Sequence, residues 1–295
     1  MINISNVHKS YGKVKAISEI SLTLERNKII GLVGNNGSGK TTLMKILSGM
    51  INLDYGEVFI NGERLNYKHN LLIANLIEEP CFYPGLTGKE NLCYFLKIND
   101  RENLNLSKYV DLFNMNEHIN NKYRTYSQGM KQRLRLIYIL SRDTEYLLLD
   151  EPLIGLDHLA IQILKKELVK QVNEKNKTVF VVSHNIKDLE SICDEIIFIK
   201  EGKLVNKINM KDIKKRNRYE ISFFNENDVE YAKQILVEKI FSINKNKVII
   251  ELDDETMISS IIKSLVDLSI KEVKVVQDSL TTLYLRYLGD NTNDK

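Results

Sequence analysis

Three cysteines are all this 295-residue sequence has: Cys81, Cys93 and Cys193, odd in number, widely spaced and without a CxxC pair. That pattern excludes a disulfide framework and a zinc site and fits reduced thiols. No apolar run approaches the roughly 20 residues that a membrane-spanning helix needs. The N-terminus lacks the charged-then-apolar layout of a secretory leader. Charge of one sign is also missing. Forty-two Lys and Arg against 39 Asp and Glu leave a net charge of +3, which argues against a dedicated nucleic-acid binder. There is no repeat of solenoid period and no low-complexity tract. The expectation is a soluble, cytoplasmic protein of about two domains, free to dock onto a membrane-embedded partner.

What is present centres on Gly34-Asn35-Asn36-Gly37-Ser38-Gly39-Lys40-Thr41. The apolar run Ile29-Ile30-Gly31-Leu32-Val33 before it is short enough for a buried strand, and Thr42 to Leu47 after it suits a helix. Strand, glycine-rich turn and helix form the context of a phosphate-binding loop. The glycines let several N–H groups point at one anion, and the helix N-terminus adds partial positive charge. Lys40 then reaches the β- and γ-phosphates, and the Thr41 hydroxyl can ligate Mg²⁺. A nucleoside triphosphate is the expected ligand.

The rest of the chain gives a rhythm. Strands are expected at Ile2 to Val7, from Ile17 to Leu24, from Gly56 to the Asn61-Gly62 turn and at Ile73 to Ile77, with Tyr11 on the first turn. From about Thr87 to Leu140 the pattern is helical, and Thr87-Gly88-Lys89-Glu90 has capping-box spacing. Strands at Tyr146 to Leu149, Val179 to Val182 and Ile196 to Ile199 then alternate with helices, which implies a mostly parallel sheet. Residues 207–218, including Lys214-Lys215-Arg216, read as a solvated linker. Beyond it, strands at Tyr219 to Phe224, Val248 to Leu252 and Ile270 to Val276 with intervening amphipathic helices make a small α+β unit.

Several side chains carry chemistry. Asp150 and Glu151 end one parallel strand, at the edge where ligands of α/β sheets bind. In phosphate-loop ATPases such an aspartate holds Mg²⁺, and a neighbouring glutamate can orient or deprotonate water. His184 ends another strand at the same edge, placed for the γ-phosphate. Ser127-Gln128-Gly129 opens a helix and offers a hydroxyl and free N–H groups, a second phosphate cradle. One nucleotide does not need two cradles from one subunit. Two head-to-tail copies would use each once.

In this order the motifs resemble those of the ATP-binding-cassette transporter ATPases, over about Met1 to Leu204. Tyr11 is similar to the adenine-stacking aromatic, Gly34 to Thr41 to the Walker A loop, and Ser127 with Gly129 to the signature motif. Asp150-Glu151 matches Walker B, Gly155-Leu156-Asp157 the D-loop, and His184 the switch histidine. The resemblance implies an α/β P-loop NTPase core over 1–206 with a helical subdomain inserted at about 85–140; beyond its reach, the residues themselves read as a linker at 207–218 and a small α+β domain over 219–295. It implies ATP and Mg²⁺, with Thr42 also at the phosphates and Asp157 at the nucleotide interface. A homodimer or pseudo-symmetric pair of ATPase subunits and an integral-membrane permease are the implied partners, with the protein peripheral on the inner face of the cell membrane and no nucleic acid bound.

Two departures stand out. Tyr126, Gln128 and Met130 replace three residues of the usual Leu-Ser-Gly-Gly-Gln signature, and Glu78 stands where the family has the Q-loop glutamine. A carboxylate there can ligate Mg²⁺ or orient water, yet adds negative charge beside three phosphates. The run Leu76 to Pro84 and the Tyr-Ser-x-Gly-Met signature resemble ATPases of exporters that protect against lantibiotics and bacitracin-like peptides. Exporters of other cargo, such as a lipid or drug, and a non-transport cassette ATPase acting on ribosomes or DNA are the alternatives.

Overall fold

The computed structural model describes residues 1–78, 80–98, 106–214, 217–236, 239–252, 256–276 and 279–289. Glu79 of the loop after Glu78, and Lys215 and Arg216 of the basic stretch, lie outside them. The chain divides into two units, Met1–Lys207 with the residues from Tyr287 on, and Ile208–Arg286.

The first unit opens with β1 (Ile2–Tyr11), β2 (Val14–Leu24), β3 (Ile29–Val33) and α1 (Lys40–Leu47), followed by β4 (Tyr55–Ile60), β5 (Glu63–Arg64) and β6 (Ile73–Leu76). Helices α2 (Gly88–Ile98), α3 (Leu106–Leu112) and α4 (Gln128–Ser141) form the helical segment. The α/β rhythm then returns as β7 (Tyr146–Asp150), α5 (His158–Asn173), β8 (Thr178–Val182), α6 (Ile186–Ile192), β9 (Glu195–Lys200) and β10 (Lys203–Asn209). Two sheets result, one ordered β2-β1-β4-β5 and one ordered β10-β9-β3-β8-β7-β6.

Strands β9, β3, β8, β7 and β6 pair parallel. Their near-continuous apolar sequences follow from burial on both faces, as in Ile29–Val33 and Thr178–Val182, where every residue is buried. Alternation governs the antiparallel sheet instead: Ile20, Leu22 and Leu24 turn inward while Ser21 and Thr23 are exposed. Helix α1 lies in the core that these two sheets share. Its Leu43, Met44, Ile46 and Leu47 pack with Ile4, Val7 and Ile60 of one sheet and with Leu32, Leu148 and Val182 of the other. Only Thr41, Thr42 and Lys45 of this helix keep access to solvent. Burial of its apolar side chains therefore fixes the rotation of α1, and with it the aim of those three.

The capping box read at Thr87 is present: Glu90 N donates to Thr87 Oγ1 at 3.1 Å and Thr87 N to Glu90 Oε2 at 2.7 Å. Helix α3 is tied to α5 by a buried polar cluster that periodicity does not disclose. Tyr109 Oη donates to Glu167 Oε1 at 3.2 Å, and Gln171 Nε2 donates to both Tyr109 Oη at 2.8 Å and Glu167 Oε1 at 2.7 Å. Burial is the main reason the Tyr109 phenol is pushed well above its usual range, and the Glu167 carboxylate adds to it.

Where a solvated linker is expected, at 207–218, the structure has the end of β10, a short helix α7 (Met210–Lys214) and the start of β11 (Asn217–Phe223). Met210 and Ile213 are buried. Spaced by three residues, they share one helix face, and four neighbouring lysines mask that signal in the sequence. Arg218 keeps only 2% of its surface, with its guanidinium 3.5 Å from the centre of the Phe241 ring. Its Nε and Nη2 both donate to Glu251 Oε2, at 2.7 and 2.6 Å. Cation–π stacking and a charge-assisted bond are what make burial of this cation tolerable.

The second unit continues with α8 (Glu226–Leu236), β12 (Ile240–Asn244), β13 (Lys247–Leu252), α9 (Met257–Ser264), β14 (Ile270–Val276) and all but the last two residues of α10 (Leu280–Leu288). Its sheet runs β12-β13-β11-β14, with β11 antiparallel to both β13 and β14 and Arg218 opposite Val276. A βαββαβ chain in that strand order is the ferredoxin-like arrangement. Tyr219, Ile221, Phe223, Val248 and Ile250 meet Val229, Ala232, Leu236 and Ile261 of the helices in a core of their own. Ile221 is fully buried there. Replacing Ile221 by Ala is expected to cost about 2–5 kcal/mol, read as a lower urea midpoint of this unit in the full-length chain by circular dichroism; an unmoved midpoint would place Ile221 outside the core.

Candidate functional site

The parallel strands bring their carboxyl ends to one edge, and the loops that leave them form the site. The turn between β3 and α1 folds around Gly39, which sits at φ +101°. A Cβ on Gly39 would stand 2.4 Å from the Ala16 carbonyl oxygen and 2.8 Å from Ile17 Cδ1, so backbone conformation and space both demand glycine. Gly37, at φ +75°, faces open space. Lys40 Nζ donates to the Gly34 and Asn35 carbonyls at 2.8 and 3.0 Å. Its ammonium is largely buried, which lowers its proton affinity, while Asp150 and Glu151 pull it back up.

Across the loop, Thr41 Oγ1 donates to Asp150 Oδ2 at 2.7 Å. Asp150 ends β7, and Glu151 follows in a left-handed conformation, φ +49°. A non-glycine residue held there costs roughly 1–3 kcal/mol and is found where the surroundings enforce it. Here Glu151 N donates to Val182 O of the neighbouring strand at 3.0 Å. The turn aims the Glu151 carboxylate at His184, with Oε1 3.2 Å from Nε2 and Oε2 accepting from the His184 amide at 3.4 Å. Burial raises the Glu151 carboxyl above the ordinary glutamate range, and His184 opposes that shift.

These groups converge on one cleft of about 570 Å³, lined by Tyr11, Asn36, Gly37, Ser38, Gly39, Lys40, Thr41, Thr42, Asp150, Glu151 and His184. Gly34 and Asn35 contribute the carbonyls that hold Lys40. Tyr11 is half exposed at the rim. The donor set fits a magnesium nucleotide: a hydroxyl and a carboxylate already in contact are the hard oxygen ligands this ion takes. Among the described residues the buried Ser38 Oγ has no hydrogen-bond partner, as a loop built to wrap phosphate would leave it.

Other candidates lie apart. Ser127 caps α4, its Oγ accepting from Met130 N at 3.2 Å, and neither it nor Gln128 nor Gly129 lines the cleft. Asp157 caps α5, with Oδ1 accepting from Ala160 N at 2.8 Å and Oδ2 paired with Arg133. The bond from Ala160 leads the causes that hold the Asp157 carboxyl below its usual range. Glu78 lies next door, lining with Gln128, Gln132, Arg135, Asp150 and Glu151 a cavity of about 200 Å³. Lys45 Nζ binds Glu78 Oε1 at 2.6 Å, a partner that motif reading passes over. The available signal was its position, four residues after Thr41 and on the same helix face.

The geometry has counterparts among known proteins. A family model described as ABC transporter matches residues 17–154. The ABC transporter ATP-binding protein YhcH of Bacillus subtilis is 31% identical over 302 residues, spanning 100% of this chain and 98% of its own.

The chain belongs to the ABC transporter family.

It is a nucleotide-binding ATPase subunit of that family. The bacitracin transport ATP-binding protein BcrA of Enterococcus faecalis is 34% identical over 242 residues, covering 80% of this chain and 78% of BcrA. A solved dimeric bacterial ABC transporter cassette superposes with a TM-score of 0.61 at 26% identity, over 71% of this chain and 99% of that one. Among the described residues of this cassette, no helix is long and apolar enough to cross a membrane.

Gly39→Ala is expected to abolish binding of a fluorescent ATP analogue, since the methyl group must displace backbone. Gly37→Ala, which meets only the roughly 1–2 kcal/mol conformational penalty, is expected to weaken it about tenfold. Equal effects would remove the close approach at Ala16 as the reason for glycine.

Proposed function

We propose that two copies of this cassette close head to tail around two ATP molecules and so drive a separate membrane permease. One observation carries this reading: Ser127 and Gly129 stay out of their own protomer's cleft, although as a helix start they suit a phosphate. A second copy would deliver them. The solved cassette with which this chain superposes is itself a dimer.

In this reading Tyr11 stacks on the adenine, and Asn36 to Thr42 wrap the phosphates. Thr41 and Asp150 would hold Mg²⁺, with Glu78 within reach, and the charge of the ion would offset that of the phosphates. Glu151 orients the attacking water and takes its proton, and His184 touches the γ-phosphate while holding the Glu151 carboxylate in place. Loss of the γ-phosphate removes contacts that only the closed dimer makes, so the dimer reopens. The cassette would then sit on the inner face of the membrane through its permease. For cargo, the similarity to a bacitracin transport ATP-binding protein, together with Glu78 and the Tyr126-Ser127-Gln128-Gly129-Met130 signature, favours export of a lantibiotic or bacitracin-like peptide.

Glu151→Gln is expected to bind ATP, lose at least about 100-fold in turnover and accumulate as a dimer in light scattering. An ATP-bound monomer would refute the closure. Deleting the gene together with that of its permease is expected to lower survival in bacitracin or a lantibiotic. Unchanged inhibitory concentrations would remove the cargo and leave the ATPase untouched.

A further inference from the structure

Lys45 belongs to none of the motifs above, yet its ammonium stands among the site's carboxylates. Strands β6 and β7 are parallel neighbours in the register Leu76 to Leu149, so the backbone beyond them brings Glu78 and Asp150 to the same sheet edge. Helix α1 lies over that edge and presents Thr41 and Lys45 one turn apart. The first binds Asp150 and the second binds Glu78, at 2.7 and 2.6 Å. Glu78 and Asp150 also line one cavity. The bond to Glu78 is the chief cause holding the Lys45 ammonium above its ordinary range, and the charge of Asp150 adds to it.

As a stabilising contact the pair has little value. The Glu78 side chain is 59% exposed and that of Lys45 26%, so water and salt screen it. Its effect on a third charge is another matter. Two carboxylates that line one cavity attract a divalent cation, and an ammonium bonded to one of them both repels that cation and occupies one of its ligands. We propose that Lys45 is a positioning residue that holds Glu78 on α1 and keeps the Glu78–Asp150 pair from capturing a divalent cation ahead of the nucleotide. The metal then enters with the phosphates, whose charge outweighs the ammonium and frees Glu78. This rests on the reading above that Glu78 lies within reach of the metal.

The test is titration of Mn²⁺ into the full-length protein, following the free-ion electron paramagnetic resonance signal without nucleotide. Lys45→Met is expected to tighten Mn²⁺ binding roughly tenfold, and Lys45→Gln, the second neutral variant, to do the same. Lys45→Arg keeps the charge and should stay within about twofold of the wild type. Glu78→Gln should weaken binding, and joining it to Lys45→Met should bring affinity back near the wild-type value. Thermal melts separate these shifts from loss of fold. If Glu78→Gln weakens binding while neither neutral variant at Lys45 moves it, the role of Lys45 is overturned and that of Glu78 stands. If no variant moves it, Glu78 is a loop acid away from the metal and both readings fall.

Discussion

The hydrogen bond from the Thr41 hydroxyl to the Asp150 carboxylate joins the first turn of a helix to the end of a strand 109 residues later. Everything that acts on a nucleotide is arranged around that join. It can form only because α1 is held in the core shared by two sheets, its apolar faces leaving a single polar strip. It also requires that β8, which leads to His184, pairs parallel with β3, and that β7, which ends at Asp150, pairs parallel with β8, so that their ends share an edge. A shift of one residue in that register would send every second side chain to the opposite face.

Charge is balanced locally within this arrangement. Lys40 is buried against Asp150 and Glu151, Glu151 faces His184, and Glu78 faces Lys45. Each carboxylate that could ligate metal or activate water is therefore already partnered by a base or a hydroxyl. The strained backbone at Glu151 belongs to the same economy of placement: without the left-handed turn, its carboxylate would not face His184.

Much of this was legible in the sequence because it is contiguous. The glycine-rich loop, the Asp150-Glu151 pair and the Thr87 capping box are short strings whose chemistry depends on neighbours in the chain. The parallel strands were legible through their unbroken apolar runs. What stayed hidden depends on distant partners. Lys45 and Glu78 are 33 residues apart; the loop it stands in marks Glu78, but Lys45 reads as an ordinary surface charge. Tyr109, Glu167 and Gln171 belong to two helices, and their bonds exist only once those helices pack. Residues 207–218 look polar, and Met210 and Ile213 could not outweigh the lysines around them. β12 went unread because its residues, Ile240 to Asn244, are mostly exposed and alternate weakly.

The pairing of Arg218 with Val276 has a consequence for how the second unit could have been acquired. The strand that opens its sheet and the strand that closes it lie side by side and run in opposite directions. Their outer ends are therefore neighbours, and the polypeptide enters and leaves the sheet at nearly one point. A segment of that kind can be spliced into a gene, or lost from it, without rethreading whatever precedes it.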